Sequence, residues 1–224
     1  MAKTIHLFFV LLFLNSYSAF AASVPSPPKI AAEGYLLVDY NSGQVLAERN
    51  ADARMEPASL TKMMVSYIVS DELHQGALDM EDEVKVSEKA WRMTGSRMFI
   101  EVGKKVKVED LIKGLIVQSG NDATIALAEH ISGSEESFVS KMNQYAKRLN
   151  LLDTHFANAT GLPTEDHYST PRDMAMLGKA LIRDFPDHYK LYSIKSYKFN
   201  NIKQNNRNGL LWKNSAVDGI KTGH

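Results

Sequence analysis

The hydrophobic pattern changes period several times along the chain. Positions 7–14 form one compact apolar run, Leu7-Phe8-Phe9-Val10-Leu11-Leu12-Phe13-Leu14, and Val24-Pro25-Ser26-Pro27-Pro28 reads as an extended linker. Over 34–48, the arms Leu36-Leu37-Val38 and Val45-Leu46-Ala47 flank Asn41-Ser42-Gly43 and predict a hairpin. From Pro57 the period becomes helical: Leu60, Met63, Met64, Tyr67 and Ile68 share one face, and Gly76 suits the stop. Short alternating runs at 84–86 and 98–108, around Gly103, predict small strands at the rim of a helical region. Segments 109–117 and 122–131 predict two short buried helices, the second ended near Gly133. Ser134 caps the next, with Glu135 and Glu136 in its first turn and Phe138, Met142, Tyr145 and Leu149 on one face. Thr170 and Pro171 start another, carrying Met174, Leu177, Ala180 and Leu181. Beyond Pro186 the pattern turns to strands. Tyr197 and Phe199 alternate with polar residues, Asn208-Gly209 signals a turn, and 210–212 and 219–223 are short strand candidates.

Composition narrows the picture modestly. The 224 residues suit one large or two small domains, with 44% hydrophobic and 23% charged residues. Net charge is zero, so no nucleic-acid partner is expected. There is no cysteine, which removes disulfides, thiolate metal sites, cysteine nucleophiles and a lipidated N-terminus. Lys3, the apolar run and Ala19-Phe20-Ala21 have the layout of a cleaved secretory signal over 1–21, followed by a linker over 22–33. Eight clean apolar residues fall short of the ~20 a membrane span needs. Export to the periplasm or the outer face of a bacterial cytoplasmic membrane is the expectation. The seven histidines have no metal-ligand spacing; His74, His130, His155, His167 and His188 are expected at the surface or at caps, and neither metal nor cofactor is expected.

Three short motifs carry the chemistry, in one order: Ser59-Leu60-Thr61-Lys62, Ser119-Gly120-Asn121 and Lys221-Thr222-Gly223. Ser-x-x-Lys alone is weak, since Ser26-Pro27-Pro28-Lys29 also matches but sits in an extended proline segment. Ser59 and Lys62 lie three apart on a predicted helix, so they share a face. The helix dipole at its first turn disfavours the ammonium form of Lys62, and burial would add to that. The alternative is a capping serine with a solvated lysine. Ser119-Gly120-Asn121 puts a hydroxyl and an amide between two apolar helices, where Asn121 can equally cap a helix beginning at Asp122. Lys221 beside Thr222 suits a carboxylate, and Gly223 admits close approach of a ligand backbone. Together these are the parts for acyl transfer through a serine.

The ordered triplet resembles the penicillin-recognising serine enzymes. The surrounding stretches, Gly34-Tyr35-Leu36-Leu37-Val38-Asp39, Pro57-Ala58-Ser59-Leu60-Thr61-Lys62-Met63-Met64, Gln118-Ser119-Gly120-Asn121-Asp122-Ala123 and Val217-Asp218-Gly219-Ile220-Lys221-Thr222-Gly223-His224, are similar to the low-molecular-mass penicillin-binding proteins, which are D-alanyl-D-alanine carboxypeptidases. The likeness covers about 30–224 and includes 169–174 and 206–212. It implies a mixed α/β fold of the β-lactamase/transpeptidase kind over 34–224: an antiparallel sheet flanked by helices, with a helical subdomain. It implies Ser59 as nucleophile, Lys62 as base and Ser119 as proton relay. Asn121 would hold the substrate amide, Lys221 and Thr222 the substrate carboxylate, and the backbone N–H groups of Ser59 and His224 the oxyanion. The implied substrate is a peptidoglycan stem peptide ending in D-Ala-D-Ala, and β-lactams would acylate Ser59. A histidine that some relatives carry before Gly161-Leu162 is Thr160 here. The family continues past the Lys-Thr-Gly strand, so the resemblance further implies a sheet incomplete at its C-terminus, a piece of low activity, and membrane association only through a C-terminal anchor absent from this chain.

Two other functions fit the motifs less well. A class A β-lactamase needs a deacylating glutamate before Leu-Asn, and Ala146-Lys147-Arg148-Leu149-Asn150 has alanine there. A secreted peptidoglycan-binding relic would keep the cleft without turnover.

Overall fold

The computed structural model describes residues 29–223; the apolar run at 7–14, the signal-peptide boundary and His224 lie outside the described residues. Strands β1 (Tyr35–Val38) and β2 (Val45–Arg49) pair antiparallel as the expected hairpin. Its tip is closed by Asp39, whose carboxylate accepts from the Ser42 N–H and hydroxyl at 2.8 and 2.7 Å. A 3-10 turn, Ala58–Thr61, then runs directly into helix α1 (Lys62–His74), and Gly76 stops it in the left-handed region.

Every residue of α1 from Lys62 to Asp71 is buried, so this helix has no solvent face and must be enclosed. The enclosing elements follow from their own patterns. Strand β3 (Glu83–Lys85), the helical turn α2 (Glu88–Trp91) and strand β4 (Lys105–Lys107) form the rim, with β3 and β4 paired antiparallel. Helix α3 (Val108–Lys113) continues through a π-helical segment, Gly114–Gln118, into α4 (Asn121–Ser132), which is buried from Asn121 to Ala128. Helices α5 (Glu135–Arg148) and α6 (Pro171–Asp184) each bury one face, Phe138 and Met142 on α5, Met174, Leu177 and Leu181 on α6. Their starts are capped as expected: Ser134 accepts from the Ser137 N–H and Thr170 from the Asp173 N–H. Helix α1 packs against α4, α5 and α6. Tyr67 on α1 meets Phe185 and Tyr145 edge-on, with ring centroids 4.9 and 6.0 Å apart.

After α6 come a helical turn α7 (Pro186–Tyr189), strands β5 (Ser196–Phe199) and β6 (Ile202–Asn205), and a last helical turn α8 (Leu210–Lys213). From Ala32 onward the described chain is one unit of mixed α and β structure. Its strands form three two-stranded antiparallel ladders, β1-β2, β3-β4 and β5-β6. No described helix is long and apolar enough to cross a membrane.

Three strand expectations are corrected. Residues 210–212 are helical, because the Asn208 side chain accepts from the Leu210 N–H and its carbonyl from Leu211, which coils the chain. Residues 98–101 do not extend β4: the N–H groups of Met98, Phe99 and Ile100 donate to the buried Asp122 carboxylate at 2.9, 2.8 and 3.3 Å instead of to a neighbouring strand. Residues 219–223 pair with no strand among the described residues, and a strand exists only through its ladder.

Asp122 also accepts from the Ala123 N–H at 2.9 Å, so one carboxylate satisfies four backbone donors. Asp122→Ala is expected to strand buried donors and destabilise the protein by about 3 kcal/mol. Urea unfolding measures it; an unchanged midpoint would show that this loop is anchored by something else.

Candidate active site

The 3-10 turn puts Ser59 half-buried at the mouth of a cleft, one residue after Ala58 at φ +45°. A non-glycine residue there is strained, and it re-aims the chain just before the serine. Lys62 opens α1 on the same side. Its Nζ lies 3.1 Å from Ser59 Oγ and 2.5 Å from the Thr160 carbonyl oxygen. The Lys62 side chain is fully buried, and no carboxylate approaches it among the described residues. Burial, then the charges of Lys221 and Arg207, pull its pKa down to about 7. Burial is the dominant cause, ahead of the dipole argument that the sequence alone supports. A lysine in this state accepts a proton from a serine hydroxyl near neutral pH.

The π-helical segment ends at Ser119, held at φ +62° by a turn in which the Gly120 N–H donates to the Gly114 carbonyl at 3.0 Å. Gly114 lets the buried Met98 pack at a distance no Cβ would allow. Ser119 is 2% exposed, lines the cleft, and its Oγ has no hydrogen-bond partner among the described residues. A buried hydroxyl without a partner is costly unless a reacting group supplies one.

Asn121 is the first residue of α4 and Gly120 its cap, so Asn121 does not cap a helix starting at Asp122. Its Nδ2 donates to the Thr94 carbonyl at 2.7 Å and its N–H to the Ser96 carbonyl, also at 2.7 Å. It thereby folds the 94–96 turn over the cleft and places Ser96 in the lining.

Ser59, Ser96, Ser119, Arg207, Thr222 and Gly223 line a cleft of about 410 Å³. Lys221 sits beside it, half-buried, with Nζ donating to the Thr222 carbonyl at 3.1 Å. Burial and the Arg207 charge pull Lys221 down to about 7 as well. Three cations therefore crowd one cleft, which fits an anionic ligand group. No group of described histidines and acids could hold a metal ion.

All three motifs thus converge, while His224 lies outside the described residues. Sequence reasoning missed three contributors. Ser96 and Arg207 line the cleft; Arg207 stood within the 206–212 stretch without a role. The Thr160 carbonyl is a backbone group that no side-chain pattern announces. His167, expected at the surface or a cap, is 4% exposed and hydrogen-bonds Thr61 Oγ1 at 2.7 Å.

Set against known proteins, residues 21–224 match the profile of a family described as D-alanyl-D-alanine carboxypeptidase. The chain is 49% identical over 227 residues to D-alanyl-D-alanine carboxypeptidase DacA of Haemophilus influenzae, covering 96% of this chain and 58% of that protein. It is 50% identical over 209 residues to DacA of Escherichia coli, covering 90% and 52%. Among solved structures it is similar to penicillin binding protein 5 from Haemophilus influenzae, with a TM-score of 0.86 and 50% identity over 89% of this chain and 59% of that one. The chain spans about half the length of the curated relatives it matches.

The depressed lysine has a stability consequence with a definite sign. Unfolded, the amine keeps its proton to about pH 10.4; folded, Lys62 keeps it only to about 7. Between these the unfolded chain binds more protons, so stability rises with pH across that window. Below pH 7, burying Lys62 costs the fold on the order of 5 kcal/mol. Lys62→Met is expected to abolish serine acylation yet stabilise the protein by about 1–3 kcal/mol near pH 6, after the orphaned Thr160 carbonyl is counted, with the gain fading toward pH 10. Denaturant unfolding at the two pH values tests this; equal effects at both would mean that Lys62 titrates normally.

Proposed function

The chain belongs to the D-alanyl-D-alanine carboxypeptidase family, and on that premise we propose that its protein is a serine-type carboxypeptidase that removes the terminal D-alanine from peptidoglycan pentapeptides. The observation that carries this reading is the Ser59–Lys62 pair, a hydroxyl 3.1 Å from a buried amine whose pKa lies at about 7. Ser59 Oγ attacks the carbonyl carbon of the last peptide bond while Lys62 Nζ takes its proton. Ser119, with its unpartnered Oγ, passes a proton to the amine of the departing D-alanine. The C–N bond breaks, leaving an ester on Ser59, and water then cleaves that ester, regenerating the hydroxyl. Lys221, Thr222 and Arg207 bind the substrate's terminal carboxylate. Asn121, whose Nδ2 is held by the Thr94 carbonyl, offers its Oδ1 to the substrate amide, and the backbone N–H of Ser59 receives the oxyanion.

A β-lactam carries a strained amide and a carboxylate in corresponding places, so it acylates Ser59 and blocks the enzyme. The layout of residues 1–21 supports export, and a cell-wall substrate places the protein in the periplasm or on the outer face of the cytoplasmic membrane, acting on cell-wall synthesis and cell shape. A β-lactamase role is disfavoured, because the nearest match to the Glu-x-x-Leu-Asn context, Ala146-Lys147-Arg148-Leu149-Asn150, has alanine in place of the deacylating glutamate.

The test is intact mass after incubation with penicillin, with peptide mapping and a D-alanine release assay. One lasting adduct on Ser59, absent in Ser59→Ala, together with D-alanine release from a pentapeptide, is the expected result. Rapid loss of the adduct with β-lactam hydrolysis would favour a β-lactamase, and an adduct without D-alanine release a binding relic. The acylation rate should trace a bell against pH. Its acid limb near 7 reflects loss of the proton from Lys62, and its alkaline limb loss of charge from Lys221. Lys221→Arg should move the alkaline limb up by more than about one pH unit, since guanidinium does not titrate there; a profile flat from pH 5 to 9 would sink this assignment.

A further inference from the structure

His167 belongs to none of the three motifs, yet its buried ring touches two segments that meet at the active site. The Ala157 N–H donates to Nδ1 at 3.0 Å. A ring nitrogen that accepts carries no proton, so the neutral ring has its proton on Nε2 and donates to Thr61 Oγ1 at 2.7 Å. Geometry alone fixes the tautomer.

Each end of this bridge leads to a reacting group. Thr61, fully buried, lies between Ser59 and Lys62 in the turn that presents both. Ala157 begins the loop that reaches Thr160, whose carbonyl receives Lys62 Nζ. The loop is itself tightly drawn, for Asn158 Oδ1 accepts from the N–H groups of Thr160 and Gly161 at 3.1 and 2.7 Å. At Gly161, φ +81°, an added Cβ would fall 1.8 Å from the Ala58 carbonyl oxygen, so the two backbones already touch.

We propose that His167 is a positioning residue for acyl transfer: its ring clamps the 157–161 loop to the Ser59–Lys62 turn and so keeps Lys62 dry and aimed at Ser59. This rests on the carboxypeptidase reading above.

The ring is neutral across the working range, since burial, and to a smaller extent His155, pull it down to about 4. The titratable groups facing this unit are His155 on the ring's own segment, Lys62 on the turn, and Glu135 of α5, whose carboxylate accepts from the Ala159 N–H at 3.1 Å. The charges of Lys221 and Arg207 also act on Lys62. If the clamp opens, water reaches Lys62 and its pKa climbs back toward ~10.4, so acylation needs a higher pH.

The test is the pH dependence of penicillin acylation of Ser59 in the full-length protein, comparing His167→Ala with His167→Gln. Glutamine can accept from Ala157 and donate to Thr61 but cannot titrate. His167→Ala is expected to move the acid limb up by about one pH unit and slow acylation at pH 7 about tenfold, with the affinity of the pre-covalent complex changed less than about threefold. His167→Gln should restore both limb and rate to within about threefold of wild type. A purely structural role would lower the unfolding midpoint and leave the limb in place, overturning the proposal; so would a glutamine variant as impaired as alanine. Should His167→Ala fail to fold, Thr61→Val against Thr61→Ser decides, because only valine removes the hydroxyl that the ring holds. Absence of any adduct in wild type would overturn the carboxypeptidase reading and this proposal with it, whereas a wild-type adduct whose acid limb ignores His167→Ala would overturn this proposal alone.

Discussion

The structure turns on one unfavourable act, the complete burial of the Lys62 amine at the start of α1. An ammonium with no carboxylate partner cannot remain fully charged in that position, and the protein offers it only a serine hydroxyl and a backbone carbonyl. Both accept from an amine without neutralising it. The rest of the site serves to maintain this state. The 3-10 turn at Ser59, the left-handed Ser119 and the tight approach of Gly161 to Ala58 are local strains, each held in place by the packed helices beneath.

Those helices can carry the strain because α1 and the first two-thirds of α4 are buried on every side. A helix without a solvent face cannot rotate or slide without disturbing all its neighbours, so residues at its first turn are placed accurately. Lys62 begins α1 and Asn121 begins α4, so the two motifs sit at the ends of the two most enclosed elements. The four N–H groups gathered by Asp122 extend the same rigidity into the loop over the cleft.

Much of this was legible in the sequence where a local rule decides the outcome. The 34–48 hairpin, the Ser134 and Thr170 caps and the helical period of α1 each follow from residues a few positions apart, whereas the enclosure of α1 on every side comes from α4, α5 and α6. What was not legible depends on distant partners. Residues 98–100 alternate like a strand, but Asp122, 22 to 24 positions away, takes their N–H groups. Leu210-Leu211-Trp212 is apolar enough for a strand, but Asn208 turns it helical. Asn121 has the chemistry of a cap and spends its Nδ2 on the Thr94 carbonyl instead. The site shows the same division. Ordered motifs announced Ser59, Lys62, Ser119, Lys221 and Thr222, whereas the Thr160 carbonyl and His167 emerge only when the 155–168 segment folds back on the Ser59 turn.

The charge pattern of the cleft completes the physical argument. Lys62 must be neutral to act as a base, and Lys221 must be charged to hold a carboxylate, yet both are drawn to about 7 and the charge of Lys221 weighs on Lys62. The two amines compete to shed a proton, and Arg207 presses on both. On the proposed function, an arriving carboxylate would break the tie. Bound by Lys221, it would stabilise the proton there and leave Lys62 as the amine that gives its proton up. Ligand recognition and activation of the serine would then be a single electrostatic event, in which the group that is bound is also the group that arms the base.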